Sequence, residues 1–391
     1  MANKSVVHLT NAIAPDKLGG LERYVRELAE RLAQDGFSVA IIAKQVLPSS
    51  PLREKTPSGI SILRHPVPSK QKKTFAVRYP FAVGRGVLRD LREMPRGSTL
   101  NCHYVFTTLP LLLTRRKYIY TFHAPVHKEI LMERGSSYLL PKAVQRVAVF
   151  SVRCVEMLVL RRAKKIVVLS DAMAQEVKSL SPKSFSKIVQ IPGGFDNSFF
   201  APPPGNRIPH SQSGLRLFTA RRLTTRTGVV ELVTAIAELR SRGLDVNLRI
   251  AGDGHQRQDV EERAHSLGIS ESVSLLGRIS DEEVRDEYWS ADLVVMPTQH
   301  LEGFGLTSAE ALACGAIVVA TPVGANREVI GQFNPRLVTV DATPTAIANL
   351  IQDIAGDQEL LNELRERAPL YAAQRWSWQA VAKAYEGVYG Q

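Results

Sequence analysis

Cysteine is scarce in this chain, and long apolar runs are absent from it. The chain of 391 residues has three widely separated cysteines: Cys102, Cys154 and Cys314. They form neither a metal-binding pair nor a disulfide framework, so we expect a reducing, cytoplasmic environment. The best candidate for a membrane span, residues 147–160, is interrupted by Arg153 and Glu156, whereas a spanning helix needs about 20 mostly apolar residues. The sequence therefore predicts neither a disulfide-stapled module nor a membrane-spanning helix.

Acidic residues are scarce in the first half of the chain. Residues 1–200 contain 32 Lys and Arg against 14 Asp and Glu, a net charge of +18, whereas residues 201–391 contain 18 against 24, a net charge of −6. The first half therefore carries all of the excess behind the overall charge of +12. This imbalance predicts an anionic partner for that half, with a membrane face, a lipid phosphate and nucleic acid as candidates.

Strand-like apolar runs alternate with amphipathic helical stretches along the whole chain. This repetition is typical of parallel sheets with right-handed crossovers, and the length favours two domains. The proline-rich segment 201–214 indicates a linker. We predict an α/β fold of two doubly wound, Rossmann-like domains, residues 1–205 and 206–375, that face a central cleft. A helix at about 376–391 is expected to pack back on the first domain, and Leu337–Val340 is predicted as the last strand.

Two carboxylates, Glu302 and Glu310, are the most informative chemical feature of the sequence. Glu302 lies in a turn with two glycines, and Glu310 follows about two helical turns later on a short helix predicted at 308–314. Free N–H groups at the start of a helix attract phosphate, and carboxylates accept protons from sugar hydroxyls. The pair therefore suits a nucleotide-sugar. As an alternative, Thr307 to Glu310 match a capping box, in which Glu310 would only satisfy amides of its own helix.

Three more features lie where predicted strands end. Gly19 and Gly20 precede a helix and allow close backbone approach to phosphate, although they match neither a P-loop nor a dinucleotide fingerprint. The arginines between 221 and 226 suit bidentate capture of a diphosphate, or form a solvated charge cluster. His123 is either a hydrogen-bond donor to a sugar or a satisfied structural histidine. Because ligands of open α/β sheets bind at the carboxyl ends of strands, we expect these features to face the cleft.

Together these elements resemble glycosyltransferase family 4, whose members have the GT-B fold and move a sugar from a nucleotide-sugar with retention of anomeric configuration. The resemblance spans nearly the whole chain and is most specific in the block of two glutamates. The matching motifs are Gly19-Gly20-Leu-Glu22, His123, Ser170, Pro192-Gly-Gly-Phe-Asp196, Arg222-Leu-x-x-x-x-Gly228, Gly252-Asp-Gly254, Gly277-Arg278, Pro297, Glu302-Gly-Phe-Gly-Leu-x-x-x-Glu310-Ala-x-Ala-x-Gly315 and Thr321-Pro-Val-Gly324.

The resemblance implies a role for each matching position. Arg222 would bind the diphosphate and stabilise charge on the leaving nucleotide, Glu302 would hold hydroxyls of the donor sugar, and His123 would touch the sugar near the reacting carbon. These three residues are the predicted catalytic set. Further donor contacts are predicted at Gly19, Gly20 and Arg226 (diphosphate), Gly303, Phe304, Gly305 and Leu306 (sugar), Glu310 (ribose), and Arg278 and Ile279 (base).

One position departs from the family pattern, which usually carries lysine where this chain has Thr227. The adjacent Arg226 is the candidate to supply the missing charge. The resemblance implies no cofactor and no metal, since the nucleotide-sugar is itself a substrate, and the chain has no Asp-x-Asp motif. Preorganised cations and amides would stabilise the leaving diphosphate, whose oxygen would take the proton of the attacking hydroxyl.

The resemblance assigns acceptor choice to the first domain, which is the basic one. Basic residues alternate with aromatics between 70 and 92, and further basic clusters lie at 115–117 and 161–165. This pattern suits an anionic bilayer. We expect a peripheral enzyme on the inner face of the cell membrane that acts on a phosphate-bearing lipid or glycan in cell-envelope synthesis, and an ordinary basic surface is the alternative. Nucleic acid is not expected, because no reading module is evident.

Three other functions stay open at the level of sequence. They are a sugar-nucleotide epimerase of the same architecture, a glycosyltransferase with a soluble small-molecule acceptor, and a nucleotide-sugar-binding protein without activity. An epimerase would need no basic, aromatic acceptor surface. The missing lysine at Thr227 is the feature that favours the inactive binding protein.

Overall fold

The structure is a computed structural model that describes residues 4–17, 19–68, 75–133, 142–205 and 214–390. These residues form two compact units. The first unit comprises the described residues up to Leu131, those from 142 to 194, and the last segment, which begins at Trp378. The second unit spans Phe195–Ser377.

The chain passes from the first unit to the second earlier than position 205, the predicted boundary. Phe195 and Phe200 are fully buried, and the ring of Phe200 lies 6.3 Å from that of Tyr288 in the second unit. Burial of these two aromatic rings fixes residues 195–205 to the second unit. Most of the predicted linker, residues 206–213, lies outside the described residues.

The first unit contains an eight-stranded sheet. Its strands are β1 (Ser5–Leu9), β2 (Ser38–Lys44), β3 (Arg53–Lys55), β4 (Ser61–His65), β5 (Thr99–Cys102), β6 (Ile119–Phe122), β7 (Lys165–Val168) and β8 (Ile188–Gln190). Their order is β3-β4-β2-β1-β5-β6-β7-β8, and only the edge pair β3–β4 is antiparallel. The order reverses beside β1, all five residues of which are buried, as expected for a parallel strand covered by helices on both faces.

The second unit contains a five-stranded parallel sheet. Its strands are β9 (Leu215–Ala220), β10 (Val246–Ala251), β11 (Val273–Gly277), β12 (Leu293–Met296) and β13 (Val318–Ala320). Their order is β11-β10-β9-β12-β13, so the order reverses between β9 and β12. The prediction of two doubly wound α/β sheets is confirmed, with β3 as the one antiparallel addition.

Helices connect the strands in both units. They are α1 (Gly20–Gln34), α2 (Phe75–Arg92), α3 (Val105–Thr108), α4 (Val126–Glu133), α5 (Lys142–Arg162), α6 (Asp171–Leu180), α7 (Val229–Ser241), α8 (Arg257–Ser266), α9 (Asp281–Ser290), α10 (Leu306–Ala313), α11 (Asn326–Val329), α12 (Pro344–Gly356), α13 (Gln358–Trp376) and α14 (Trp378–Tyr389). Local sequence sets several boundaries: Ser280 and Glu283 form a reciprocal capping box at the start of α9, for example.

The strand predicted at Leu337–Val340 is wrong. Residues Pro335–Leu337 form a 3₁₀ turn, in which the side chain of Asn334 accepts the N–H of Arg336. Val338 makes only an isolated bridge with Ala320. Pro335 has no N–H to give to a sheet, and the asparagine cap favours a turn, so the apolar run ends before it can pair.

The terminal helix α14 belongs to the first unit. Tyr385 and Tyr24 on α1 share a hydrogen bond of 2.9 Å between their hydroxyls, and Asn101 donates to the hydroxyl of Tyr389 over 2.8 Å. At the start of α14, a Cβ on Gly194 would lie 2.7 Å from the ring of Trp378, so the indole fills the space above this glycine.

Candidate functional site

In the second unit, predicted site residues follow the carboxyl ends of parallel strands. Arg221 and Arg222 follow β9, Arg278 and Ile279 follow β11, and the turn with Glu302 follows β12. Since β9 and β12 flank the point where the strand order reverses, the arginines and Glu302 lie where open α/β sheets bind ligands. The ends of β11 and β12 are separated by two intervening strands, about 14 Å at normal strand spacing, so this edge suits an extended ligand.

An ion pair between Arg221 and Glu302 occupies the reversal point. Nη2 of Arg221 donates to Oε2 of Glu302 over 2.8 Å, and the two side chains are only 6% and 12% exposed. The hydroxyl of Thr298 also reaches Oε2, at 3.4 Å. Charge-assisted bonds of this kind fix the orientation of the carboxylate. Among the described residues the bonds to this carboxylate go to Oε2, which leaves Oε1 for a ligand.

Sequence analysis assigned the diphosphate to Arg222 and gave Arg221 no separate role. The structure shows Arg221 buried and Arg222 exposed. Consecutive residues at the end of a strand point in opposite directions, so only one of two neighbouring arginines turns inward. No local sequence signal marks Arg221, because its partner Glu302 lies 81 positions away.

Arg226 braces the turn that leads to Glu302. Its carbonyl accepts N–H groups from Gln299 and His300 at 2.8 and 3.1 Å, and its Nη1 donates to the carbonyl of Leu301 over 3.0 Å. Leu301 has a φ of 51°, the one positive value for a non-glycine residue in the part of the chain that the structure describes. Such backbone strain occurs mainly at functional sites, where the surroundings hold it in place.

Thr227, at the position where the family usually has lysine, is a buried capping residue. Its hydroxyl oxygen lies 2.7 Å from the carbonyl oxygen of Arg222 and 2.6 Å from that of Thr224, and these two acceptors share its one proton. It therefore closes the turn between β9 and α7 and brings no charge. The next residue, Gly228, has a φ of 74°, and a Cβ there would lie 1.8 Å from the carbonyl oxygen of Pro297. Only glycine lets this turn contact the loop after β12.

The turn after Glu302 leads directly into α10. Gly305, the residue before the helix, has a φ of 86° and, as a glycine, no side chain to cap the first turn. The capping-box interpretation of Glu310 is therefore wrong: the helix begins at Leu306, before Thr307, so Thr307 cannot be the cap. Glu310 is buried inside the helix, and Phe304 packs edge-on against Trp376 with 5.8 Å between ring centroids. The uncapped amides of α10 fit an anion.

The turn after β11, which contains Arg278 and Ile279, is more exposed to solvent than the turn that contains Glu302. The guanidinium of Arg278 is exposed and its Nε lies 3.9 Å from a carboxylate oxygen of Asp253. Ile279 is half-buried. The N–H of Gly252 donates to the carbonyl of Gly277 over 2.7 Å, which ties this turn to the end of β10.

In the first unit, Gly19 and Gly20 lie at the start of α1, the helix that follows β1. Gly19, the residue before this helix, has no side chain to cap it. Glu22 in the first turn is buried, and its carboxylate lies 2.5 Å from Nζ of Lys17. The structure places the two glycines where the amide end of a long helix can receive an anion.

His123 follows β6 and ends a chain of three histidines. Nδ1 of His8 lies 3.0 Å from Nε2 of His103, and Nδ1 of His103 lies 3.1 Å from Nε2 of His123. His8 and His103 are buried and His123 is half-buried. Burial lowers the pKa of His8 and of His123 to about 3; burial and the two neighbouring rings lower the pKa of His103. All three are therefore neutral near pH 7.

Two family descriptions match the chain side by side. The family described as "Glycosyltransferase Family 4" matches residues 18–199, and "Glycosyl transferases group 1" matches residues 207–371. The two matches together span most of the chain. This chain belongs to the family 4 glycosyltransferases with a group 1 domain, and its fold class is GT-B.

Two relatives are similar to this chain along nearly their full length. D-inositol 3-phosphate glycosyltransferase of Corynebacterium urealyticum is 26% identical over 95% of this chain and 90% of its own. Glycogen synthase of Mycobacterium tuberculosis is 24% identical over 96% and 92%. Such relatives support a glycosyl transfer activity for this chain.

Solved structures share the fold. Sucrose-phosphate synthase from Thermosynechococcus elongatus superposes with a TM-score of 0.81 at 21% identity, covering 99% of this chain and 98% of that chain. WaaG, a glycosyltransferase involved in lipopolysaccharide biosynthesis, gives a TM-score of 0.72 at 18% identity, covering 99% and 100%. Among the described residues, every helix is too short or too polar to pass through a bilayer.

Proposed function

We propose that this chain is a retaining glycosyltransferase that moves a sugar from a UDP- or GDP-linked donor to an acceptor hydroxyl, without a metal ion. The observation that carries the proposal is the Arg221–Glu302 pair at the strand reversal of the second unit. Glu302 is held in place through Oε2, so its other oxygen can accept sugar hydroxyls. Beside it lie the amides of α10 and the guanidinium of Arg226, which suit a diphosphate.

The proposed mechanism depends on charge separation at the anomeric carbon. Cleavage of the bond to the diphosphate leaves negative charge on the leaving oxygens, which Arg222, Arg226 and the helix amides would stabilise. The acceptor hydroxyl would attack from the face that the diphosphate leaves, and a diphosphate oxygen would take its proton. Neutral His123 would donate a hydrogen bond to the donor sugar.

The donor assay uses radiolabelled UDP- and GDP-sugars with the full chain. We expect nucleoside diphosphate and slow release of free sugar without acceptor, a product of unchanged anomeric configuration with acceptor, and the same rates after a chelator is added. Interconversion of two sugar-nucleotides would indicate an epimerase instead. Binding without turnover would indicate an inactive binding protein.

For the acceptor we propose a phosphate-bearing lipid at an anionic membrane. On α2, Arg78, Phe81, Arg85 and Arg92 recur at helical spacing on one face, and all four are exposed, Phe81 by 76%. Apolar rings flanked by cations insert at the interface of anionic bilayers. The Corynebacterium relative is named a D-inositol 3-phosphate glycosyltransferase, and a phosphate-bearing acceptor agrees with a basic acceptor domain. The predicted cluster Lys70, Lys72 and Lys73 lies outside the described residues.

Liposome sedimentation tests this surface. We expect the chain to sediment with anionic but not with neutral vesicles, and Phe81→Ser with Arg85→Ser to abolish sedimentation. The matched control is Leu370→Ser with Arg367→Ser, because Leu370 is also an exposed apolar residue beside an arginine, but in the second unit. No sedimentation with either vesicle would contradict a membrane acceptor and favour a soluble phosphorylated one.

A further inference from the structure

We propose that His8 and His103 are positioning residues that hold His123 in the tautomer with its proton on Nδ1, so that this N–H faces the ligand as a hydrogen-bond donor. The inference rests on the proposed function, in which His123 contacts the donor sugar. It assigns a task to two buried histidines, His8 and His103, that match no motif in the sequence.

The three rings form one continuous hydrogen-bonded chain across three neighbouring strands. His8 lies within β1, His103 directly follows β5, and His123 directly follows β6. Each neutral imidazole has one N–H donor and one lone-pair acceptor. Two contacts of 3.0 and 3.1 Å therefore force all three rings to share one direction of donation. Fixing the proton on any ring fixes it on the other two.

The buried end of the chain selects the direction. Nε2 of His8 is buried and has no hydrogen-bond partner among the described residues. If the chain ran inward, this nitrogen would carry an orphaned N–H, whereas in an outward chain it carries only an unshared lone pair. Orphaned buried N–H groups are the rarer of the two in folded proteins. His8 therefore donates to His103, His103 donates to His123, and the proton of His123 lies on Nδ1.

Neighbouring rings keep this arrangement from rotating. The ring of Tyr24 meets His123 edge-on at 5.0 Å and lies 6.2 Å from His103. Tyr24 is itself held by the hydroxyl of Tyr385 at 2.9 Å and by the ring of Trp378 at 5.2 Å. A histidine's tautomer is set by the bond that its other nitrogen makes. The buried chain supplies that bond, and the terminal helix α14 braces it.

The direct test is long-range ¹H–¹⁵N NMR of the full-length protein labelled with ¹⁵N-histidine, near pH 7.5. The chain has nine histidines, and single substitutions assign the signals of His8, His103 and His123. We expect all three to be neutral with the proton on Nδ1. A proton on Nε2 of His123 in the unmodified protein would overturn the proposal, whether or not any variant folds.

Variants at His8 separate positioning from simple packing. His8→Leu removes the donor, and we expect the signal of His123 to move to mixed tautomers and kcat to fall roughly 10- to 100-fold with little change in donor KM. His8→Asn places an amide N–H near the former Nδ1, so it should restore both. The control is His65→Leu, since His65 is also fully buried in the first unit and should leave the tautomer and kcat unchanged.

The outcomes distinguish this inference from the proposed function. In one outcome no nucleotide-sugar is turned over, but His123 carries its proton on Nδ1 in the unmodified protein and shows mixed tautomers in His8→Leu. The positioning role of the histidines is then supported and the proposed function is wrong. If transfer occurs while His8→Leu and His65→Leu lower kcat equally without a tautomer change, the positioning role is wrong and the proposed function stands.

Discussion

Two adjacent arginines at the end of β9 have different surroundings and so different expected tasks. Arg221 is buried against Glu302 at 2.8 Å, whereas Arg222 is exposed. The first arginine therefore serves the stability and orientation of the site. The second is exposed, and the family resemblance implies that it binds the diphosphate.

We expect Arg222→Ala to lower kcat/KM roughly 10²–10³-fold, the loss that follows removal of one preorganised electrostatic donor. Its Tm should change little because the side chain is exposed. Arg221→Ala is the contrast: it should lower the free energy of unfolding by roughly 3–5 kcal/mol, because it leaves a largely buried carboxylate uncompensated. Steady-state kinetics and thermal denaturation of both variants check this, and unchanged turnover in Arg222→Ala would remove that residue from the mechanism.

The buried histidines make a prediction about pH. In the unfolded chain their pKa is about 6.5, whereas His8 and His123 in the folded chain bind protons only near pH 3. Below pH 6.5 the unfolded state therefore binds more protons. The contribution of these histidines to the free energy of unfolding is constant well above this pH and falls between about 6.5 and 3. At pH 5 the loss is about 2 kcal/mol for each histidine that stays neutral.

Chemical denaturation between pH 8 and pH 5 measures this loss. Tyr24, the titratable group that packs against His103 and His123, is neutral over this range and does not alter the sign. His8→Asn should reduce the loss at pH 5 by about 2 kcal/mol, because one histidine is gone. Stability that is equal at pH 8 and pH 5, or a loss that is the same in His8→Asn, would contradict the account.

At the scale of single residues, the sequence revealed what was local. Glu302, Glu310 and Arg222 stood out because short motifs surround them. The histidine chain was not visible, because His8 and His103 are 95 positions apart and only the register of β1 against β5 brings them together. Arg221 was missed because its partner Glu302 lies 81 positions away.

At the scale of elements, glycine turns hold the loops of the second unit together. Gly228→Ala should lower the free energy of unfolding by more than about 3 kcal/mol, because a left-handed φ of 74° and a Cβ placed 1.8 Å from the carbonyl of Pro297 act together. Gly243→Ala is the matched control: its φ is 86° with no atom within 4 Å, so only about 1–2 kcal/mol of backbone strain is expected. Equal losses in denaturant titrations would show that the close approach contributes nothing.

Elements with a strong periodic pattern were predicted within a few residues, and those set by tertiary context were not. The helix predicted at 308–314 forms, but Gly305 starts it at Leu306, so the capping interpretation fails. The apolar run at Leu337–Val340 looked like a strand, yet the asparagine cap and Pro335 turn the chain there. Apolar content alone does not report which runs find a neighbouring strand to pair with.

At the scale of the whole molecule, the division into units depends on a few aromatic residues. Phe195 and Phe200 bring the stretch after Gly194 into the second unit, a boundary that composition alone placed near residue 205. The tyrosines of α14 bind the last helix to the first unit. The predicted cleft between the domains stays a prediction.

The hydroxyl of Tyr385 is a sensitive probe of how α14 is attached. It bonds to Tyr24 at 2.9 Å and to Thr121 at 3.1 Å, in a buried network. Tyr385→Phe should lower the free energy of unfolding by about 1–2 kcal/mol, since both partners lose a bond. Tyr371→Phe is the control, because the buried hydroxyl of Tyr371 has no partner among the described residues and its removal should be neutral or stabilising. A lower Tm for Tyr371→Phe than for Tyr385→Phe would contradict the role of the Tyr385 hydroxyl in holding α14.

The measurement that tests the central claim most directly is a ligand-induced thermal shift with UDP- and GDP-sugars, on the unmodified chain and on Glu302→Gln and Arg222→Ala. A nucleotide-sugar at a free concentration of 100 times its Kd stabilises the folded chain by about 2.7 kcal/mol. We expect at least one nucleotide-sugar to raise the Tm of the unmodified chain, and both substitutions to remove most of that shift. The same shift in all three proteins, or none with any nucleotide-sugar, would contradict a donor site at the end of β9 and β12.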